Sequence, residues 1–245
     1  MTSRRVLRIL TAALFLVAGS VRAQEWTNTA EIYVLGAGLS GTTGIGPAEI
    51  KVSATFDQIL SNLQFGAMAN YRGESPTFAV AADVMYTSLA TTVEGPAGLN
   101  SAKVDAKEWL VTAAASWRVT PGFELLAGLR LTSLDNTLTL TRRSGAETSA
   151  SLTNTWVDPI VGMRARLPVG KSWSLAGYAD LGGFGVGSDF TWMLQGRVNW
   201  QISRVVGLGL GYRVLYQNYA SGDGNDAFKW NVTTQGPLLA LGARF

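Results

Sequence analysis

The chain of 245 residues contains no cysteine and no histidine, and only 15% of it is charged. Average usage is nearer about 25% charged. The missing cysteine excludes a disulfide framework, a thiol nucleophile and every thiolate metal site. The missing histidine excludes Ser-His and Cys-His catalysis and the usual zinc sites. A long apolar run is missing too: beyond residue 23, no stretch approaches the roughly 20 apolar residues of a membrane helix. What is present in excess is glycine, 28 residues, within a chain that is 47% hydrophobic.

Residues 1–23 read as a secretory signal peptide. Arg4, Arg5 and Arg8 make a basic head, Ile9 to Ala18 an apolar stretch, and Val21-Arg22-Ala23 a small-residue cleavage site before Gln24. The paired arginines also fit a twin-arginine signal; an ordinary Sec signal is the simpler reading. Cleavage near Ala23 removes four arginines and no acid, leaving 16 basic against 17 acidic residues. The basic pI thus belongs mostly to the signal, and a nucleic-acid partner loses its electrostatic footprint.

The mature chain alternates. Over 191–203, Trp192, Leu194, Gly196, Val198, Trp200 and Ile202 form one face, and Thr191, Met193, Gln195, Arg197, Asn199, Gln201 and Ser203 the other. Over 205–217, Val206, Leu208, Leu210, Tyr212, Val214 and Tyr216 oppose Gly207, Gly209, Gly211, Arg213 and Gln217. Period two over such lengths predicts strands with one greasy and one wet face. The greasy faces end in aromatics. Trp109 and Trp117 bracket one, Trp192 and Trp200 another, each pair eight residues apart. At ~3.3 Å per residue that is about 26 Å. A tilt of about 40° reduces it to roughly 20 Å, near the ~25 Å apolar band of an outer-membrane barrel. Phe123 and Trp173, at strand starts, complete the predicted aromatic girdle.

Strands are predicted near 29–38, 63–73, 77–90, 105–118, 123–141, 148–167, 172–186, 190–203, 205–219 and 227–245. Short breakers follow every second strand: Gly73-Glu74-Ser75-Pro76, Thr120-Pro121-Gly122, Pro168-Val169-Gly170-Lys171 and Ser203-Arg204. Alternating short turns and longer loops is the barrel pattern, with the short turns periplasmic. The expectation is an all-β, closed antiparallel transmembrane β-barrel of about ten strands, residues 24–245, with eight strands as the alternative. Between the first two strands, 39–62, Phe56, Ile59, Leu60 and Leu63 recur at helical spacing with Ser53 as a candidate N-cap. A short helix there would plug the lumen or lie on the surface.

Gly36-Ala37-Gly38-Leu39-Ser40-Gly41 matches the dinucleotide GxGxxG after an apolar strand, with Asp57 downstream. The fingerprint needs a helix starting in the motif, and Thr42-Thr43-Gly44-Ile45-Gly46-Pro47 cannot sustain one; an exported flavoprotein is the weak alternative. Ser221-Gly222-Asp223-Gly224-Asn225-Asp226 offers oxygen donors without the spacing of a calcium loop. A polar turn is the simpler reading. With no histidine, a carboxylate-only enzyme is what stays open. The expectation is no catalytic, metal or cofactor site.

The wet faces carry charges of both signs: Glu31, Asp83, Glu108, Glu124, Asp158 and Asp180, with Arg72, Arg130, Arg164, Arg166, Arg197, Arg213 and Arg244. In a narrow lumen these predict hydrogen-bonded ion pairs, because an unpaired buried charge is costly. Arg164, Arg197 and Arg213, beside Gly162, Gly196 and Gly211, are expected to pair with Asp158 and Asp180. A lumen zipped shut gives a non-catalytic structural or surface-interaction protein. An incompletely closed one gives a narrow, porin-like passive channel for small solutes.

The segments Trp156-Val157-Asp158-Pro159-Ile160-Val161-Gly162-Met163-Arg164, Asp180-Leu181-Gly182-Gly183-Phe184-Gly185-Val186-Gly187-Ser188, Gly209-Leu210-Gly211-Tyr212-Arg213 and Gly236-Pro237 through Arg244-Phe245 resemble an uncharacterised family of small bacterial outer-membrane β-barrel proteins. The resemblance covers 156–245. It implies a barrel in the outer membrane of a Gram-negative cell and implies no activity. Phe245, with Leu241, resembles the terminal signal read by the barrel-assembly machinery. The partners expected are therefore outer-membrane lipid and, during biogenesis, that machinery.

Overall fold

The computed structural model describes residues 26–45, 48–94, 99–142, 144–224 and 227–245. The signal at 1–23 and the loop residues Asn225 and Asp226 lie outside them. Twelve strands and one helix follow in order: β1 (Thr27–Leu35), β2 (Gly38–Ile45), β3 (Ala48–Ala54), α1 (Phe56–Ser61), β4 (Leu63–Glu74), β5 (Phe78–Glu94), β6 (Leu99–Thr120), β7 (Phe123–Arg142), β8 (Glu147–Val169), β9 (Trp173–Gly182), β10 (Phe190–Gln201), β11 (Val206–Ser221) and β12 (Phe228–Arg244).

The wall is an antiparallel meander from β4 to β12, closed by β1 lying between β4 and β12. β1 and β2 together make the first wall strand. β1 pairs with β12 from Thr29↔Arg244 to Leu35↔Leu238, and β2 continues from Gly38↔Gln235 to Ile45↔Phe228. The wall therefore has ten strands. The break at Gly36-Ala37 faces Gly236-Pro237, and Pro237 has no N–H to give a ladder. The Gly36 N–H instead donates to the Pro237 carbonyl at 2.8 Å. The two strands come so close here that a Cβ on Gly236 would lie 2.0 Å from the Gly36 carbonyl oxygen.

Three expectations are corrected in this region and beyond. Segment 39–62 holds the expected short helix, but two strands precede it in place of a loop: β2 runs along β12, and β3 pairs back on β2, Ser40 opposite Ser53. The cap of α1 is Thr55. Ser53 is still in β3, whereas Thr55 has extended dihedrals (φ −75°, ψ 163°), accepts the Gln58 N–H on its hydroxyl and donates its own N–H to Gln58 Oε1. The helix lies on the outer surface, its Phe56 ring against Gly36 on the outward face of the first wall strand. Finally, β9 ends at Gly182 rather than 186. Gly183, Phe184 and Gly185 all take positive φ (87°, 50° and 73°), which no strand can contain.

The seam between β1 and β4 is short. Pairing runs from Thr27↔Glu74 to Ile32↔Ala69 and stops. Among the described residues, Leu63–Met68 of β4 have a ladder partner only in β5.

The outward faces switch character at one level. On β6, β7 and β8 they read Val111, Ala113, Ala115; Leu125, Ala127, Leu129, Leu131; and Val157, Pro159, Val161, Met163. Beyond Trp109 they read Lys107, Asp105, Lys103; Ser133, Asp135, Thr137, Thr139; and Thr155, Thr153, Ser151, Ser149. All six girdle residues point outward in two belts. Trp117 (70% exposed), Phe123, Trp173 and Trp200 lie near the short turns, with Trp173 stacked on Trp200 at 5.6 Å. Trp109 packs on Tyr86 (4.5 Å) and Trp192 on Tyr216 (6.2 Å) at the other border. Phe245 is bonded in both directions to Asn28, at 2.8 and 2.9 Å, which ties the last residue to the first strand.

Candidate functional site

Strand parity sends every other side chain inward, and the interior they build is layered. At the short-turn end is a cavity of about 430 Å³, whose lining holds seven arginines, four carboxylates and four amides among small and apolar residues. Next comes an apolar layer of Tyr33, Leu35, Met85, Leu110, Met193, Leu215, Leu238 and Ala240. Nearer the loop end Trp156 stacks on Tyr219 at 4.0 Å and packs with Leu134 and Phe228. The inward face is thus not uniformly wet. Leu110 sits between Glu108 and Thr112 on the same strand, buried to 1% exposure.

Four ion pairs cross the interior. Arg197 on β10 grips Glu31 on β1 with two bonds of 2.8 and 2.9 Å. Its path is made by glycine: a Cβ on Gly209 would sit 2.3 Å from the guanidinium, and one on Gly211 2.6 Å from Arg197 Cγ. Arg72 on β4 reaches Glu124 on β7 at 2.7 Å, with Glu74 and Arg118 closing a four-member cluster. Arg213 binds Asp83 (3.3 Å), Gln195 (2.7 Å) and the Tyr33 hydroxyl (3.0 Å), and Tyr33 donates in turn to Asp83 at 2.8 Å. Arg130 and Asp180, both fully enclosed side chains, meet at 2.5 Å, and Tyr178 donates to the same carboxylate oxygen.

These partners differ from those expected of the aspartates. Asp180 takes Arg130, and Arg197 and Arg213 take Glu31 and Asp83. Asp158 has no arginine at all among the described residues. It accepts the Ser188 N–H at 2.5 Å, the Ser188 hydroxyl at 2.9 Å and the Trp156 indole N–H at 3.2 Å. The reason is register. β8 pairs with β9 only as far as Ile160↔Gly182, so Asp158 lies past the last rung and faces the returning 183–189 loop. Glu108, Arg164, Arg166 and Arg244 point inward without an ion pair among the described residues. Arg164 is half-buried, while Arg166 and Arg244 are exposed at the turn-end rim.

Sequence reasoning missed Glu74, Arg118, Tyr33, Tyr178 and Gln195. Parity with Arg72, Glu108, Glu31, Asp180 and Arg197, each on the same strand as its counterpart, places all five on inward faces. Glu74 and Arg118 were hidden because they border turn signals, and the others because their charge-pairing role rests on neutral side chains.

The described residues contain no cluster of carboxylates suited to a metal ion. No protein-family model matches the chain, and no curated protein matches it. Solved structures do. The outer-membrane protease OmpT from Escherichia coli is similar over 93% of this chain and 99% of its own, with 7% identity and a TM-score of 0.54. The translocator domain of the autotransporter NalP from Neisseria meningitidis follows at 99% and 95% coverage, 12% identity and 0.46. Ail, the attachment invasion locus protein of Yersinia pestis, is similar at 91% and 99% coverage, 13% identity and 0.39. At 7% identity the likeness to OmpT speaks to the fold alone, an outer-membrane type of β-barrel; the ten antiparallel strands are read from this chain's own pairing.

Proposed function

We propose that this chain is a non-catalytic outer-membrane barrel that works through its outer surface, with a lumen that does not conduct. The observation that carries this reading is the fully enclosed Arg130–Asp180 pair beside an apolar layer that fills the interior. Ions crossing there would have to shed water without replacement ligands. Its carboxylates Glu31, Asp83, Glu124 and Asp180 are occupied by arginines, and Asp158 by Ser188 and Trp156, which supports a structural rather than a catalytic use of these groups. What remains available is the polar outer face of β6–β8 past the Trp109 belt, a three-stranded sheet of serine, threonine and alternating charge. Its neighbours there bond across strands, Ser133 to Thr155 at 2.7 Å and Thr139 to Ser149 at 3.2 Å.

Two measurements test the reading. Reconstituted in a planar bilayer, the protein is expected to pass no steady current; a stable, ion-selective conductance would put the passive channel in its place. On intact cells a membrane-impermeant amine reagent should modify Lys103 and Lys107 and spare Lys171, which lies in the β8–β9 turn. Modification of Lys171 without permeabilisation would reverse the orientation and remove the surface role.

A further inference from the structure

The turn-end cavity has an imbalance that the closed lumen does not explain. Its lining holds seven arginines and four carboxylates. All four carboxylates are already committed: Glu31 to Arg197, Asp83 to Arg213, and Glu74 and Glu124 to Arg72 and Arg118. Three guanidinium groups, those of Arg164, Arg166 and Arg244, are left over in one space of about 430 Å³. Arg164 is the deepest of them. It is half-buried, projects from β8 opposite Glu124 and Tyr178 in register, and has no hydrogen-bond partner among the described residues. A structural device would have placed a fifth carboxylate there, as it did for the other four sites. The lining keeps the amides of Gln195 and Asn199 instead, whose N–H groups can donate to an anion without neutralising it.

We propose that this cavity binds a compact multivalent oxyanion, phosphoryl or carboxylate, gripped by Arg164 from within and by Arg166 and Arg244 at the rim. Guanidinium forks match the planar spacing of two oxygens on either group. Low-dielectric walls concentrate the field of a one-signed surplus, and the volume lies within the roughly 300–1,000 Å³ of small-molecule sites. A volume of about 430 Å³ admits an anion of the size of pyrophosphate or citrate. Under the orientation given above, the ligand enters from the periplasm. The site does not require a closed lumen, so a conductance result and a binding result are read separately.

The test uses the full mature barrel folded in zwitterionic detergent, with folding checked by heat-modifiable gel mobility. Titration calorimetry with pyrophosphate, and separately with citrate, is compared with sodium chloride at matched ionic strength. Saturable binding of either probe beyond the chloride response is expected, and which probe binds more tightly names the phosphoryl or the carboxylate chemistry. Arg164→Gln should weaken binding by about tenfold or more, the worth of a charge-assisted bond. Lys103→Gln on the outer face should leave it unchanged. Should Arg164→Gln fold poorly, Arg244→Gln at the exposed rim gives the second reading and should weaken binding to a smaller degree. Heats no larger than those of matched chloride would overturn the proposal. So would full affinity in folded Arg164→Gln or, if that variant does not fold, in Arg244→Gln.

Discussion

Arg197 reaches Glu31 across two intervening strands, and it does so along a trench of glycines on β11. The pair is bidentate at 2.8 and 2.9 Å, and its route passes Gly209 and Gly211 before Glu31 settles against Gly242. The Gly-x-Gly-x-Gly of the wet face is therefore a space-making device for one long side chain.

That relationship orders the glycines. Gly211→Ala should cost about 1–3 kcal/mol, as overpacking does, because its Cβ meets both the Gly196 carbonyl oxygen (2.3 Å) and Arg197 Cγ (2.6 Å). Gly209→Ala should cost less, since its Cβ meets the Arg197 side chain, whereas that of Gly211 also meets a backbone carbonyl. Gly196→Ala and Gly177→Ala, with nothing within 4 Å, should be close to neutral. Urea midpoints of the folded barrel check the order; a Gly196→Ala penalty as large as that of Gly211→Ala would contradict it.

The enclosed pair on β7 and β9 makes a second prediction. Arg130→Ala leaves Asp180 buried without its cation and should cost about 3–5 kcal/mol. The double change Arg130→Met with Asp180→Leu removes both charges and should be milder than Arg130→Ala alone. Denaturant titration of the two variants decides it, and a double variant weaker than the single would show that the pair itself is the source of stability.

Asp158 should govern the loop rather than the lumen. Asp158→Ala frees the Ser188 N–H and hydroxyl, costing about 1–3 kcal/mol for the groups left unmet, and should speed amide exchange at Ser188. Exchange at Leu215, whose ladder partners are Met193 and Thr234, should stay as slow as before. Equal acceleration at both sites would mean that Asp158 supports the whole wall.

The short seam predicts a gradient along one strand. Amides of 64–68 in β4 should exchange faster than those of 69–74, which are paired on both sides. Uniform protection along β4 would show that the seam closes in the membrane.

Most of the wall was legible because period-two alternation and the Gly/Pro turns are local signals. Trp109 and Trp117 marked the band for the same reason. Charged inward faces were legible by parity, but partners were not. Arg130 has Asp158 as its register neighbour and yet binds Asp180, because a long side chain chooses among carboxylates two strands away by the space left open. The apolar interior layer escaped notice since Leu110 and Leu215 are single apolar residues in otherwise polar rows. β2 was hidden by Gly36-Ala37, a pause in pairing that looks like a strand end when Pro237 on the partner strand is not in view.

The level at which the outward faces change from leucine and valine to serine and threonine also fixes how thick a bilayer the barrel tolerates. The aromatic belts stand roughly 20 Å apart, against ~30 Å of hydrocarbon in an average membrane. Each ångström of shortfall costs fractions of a kcal/mol in lipid compression, and outer membranes are thinner than average. Placed in a thicker bilayer, Ser133, Asp135 and Lys107 would be dragged among acyl chains all around one side of the wall. Hydrophobic mismatch thus acts as a sorting device: the belt length penalises residence in any membrane but a thin one.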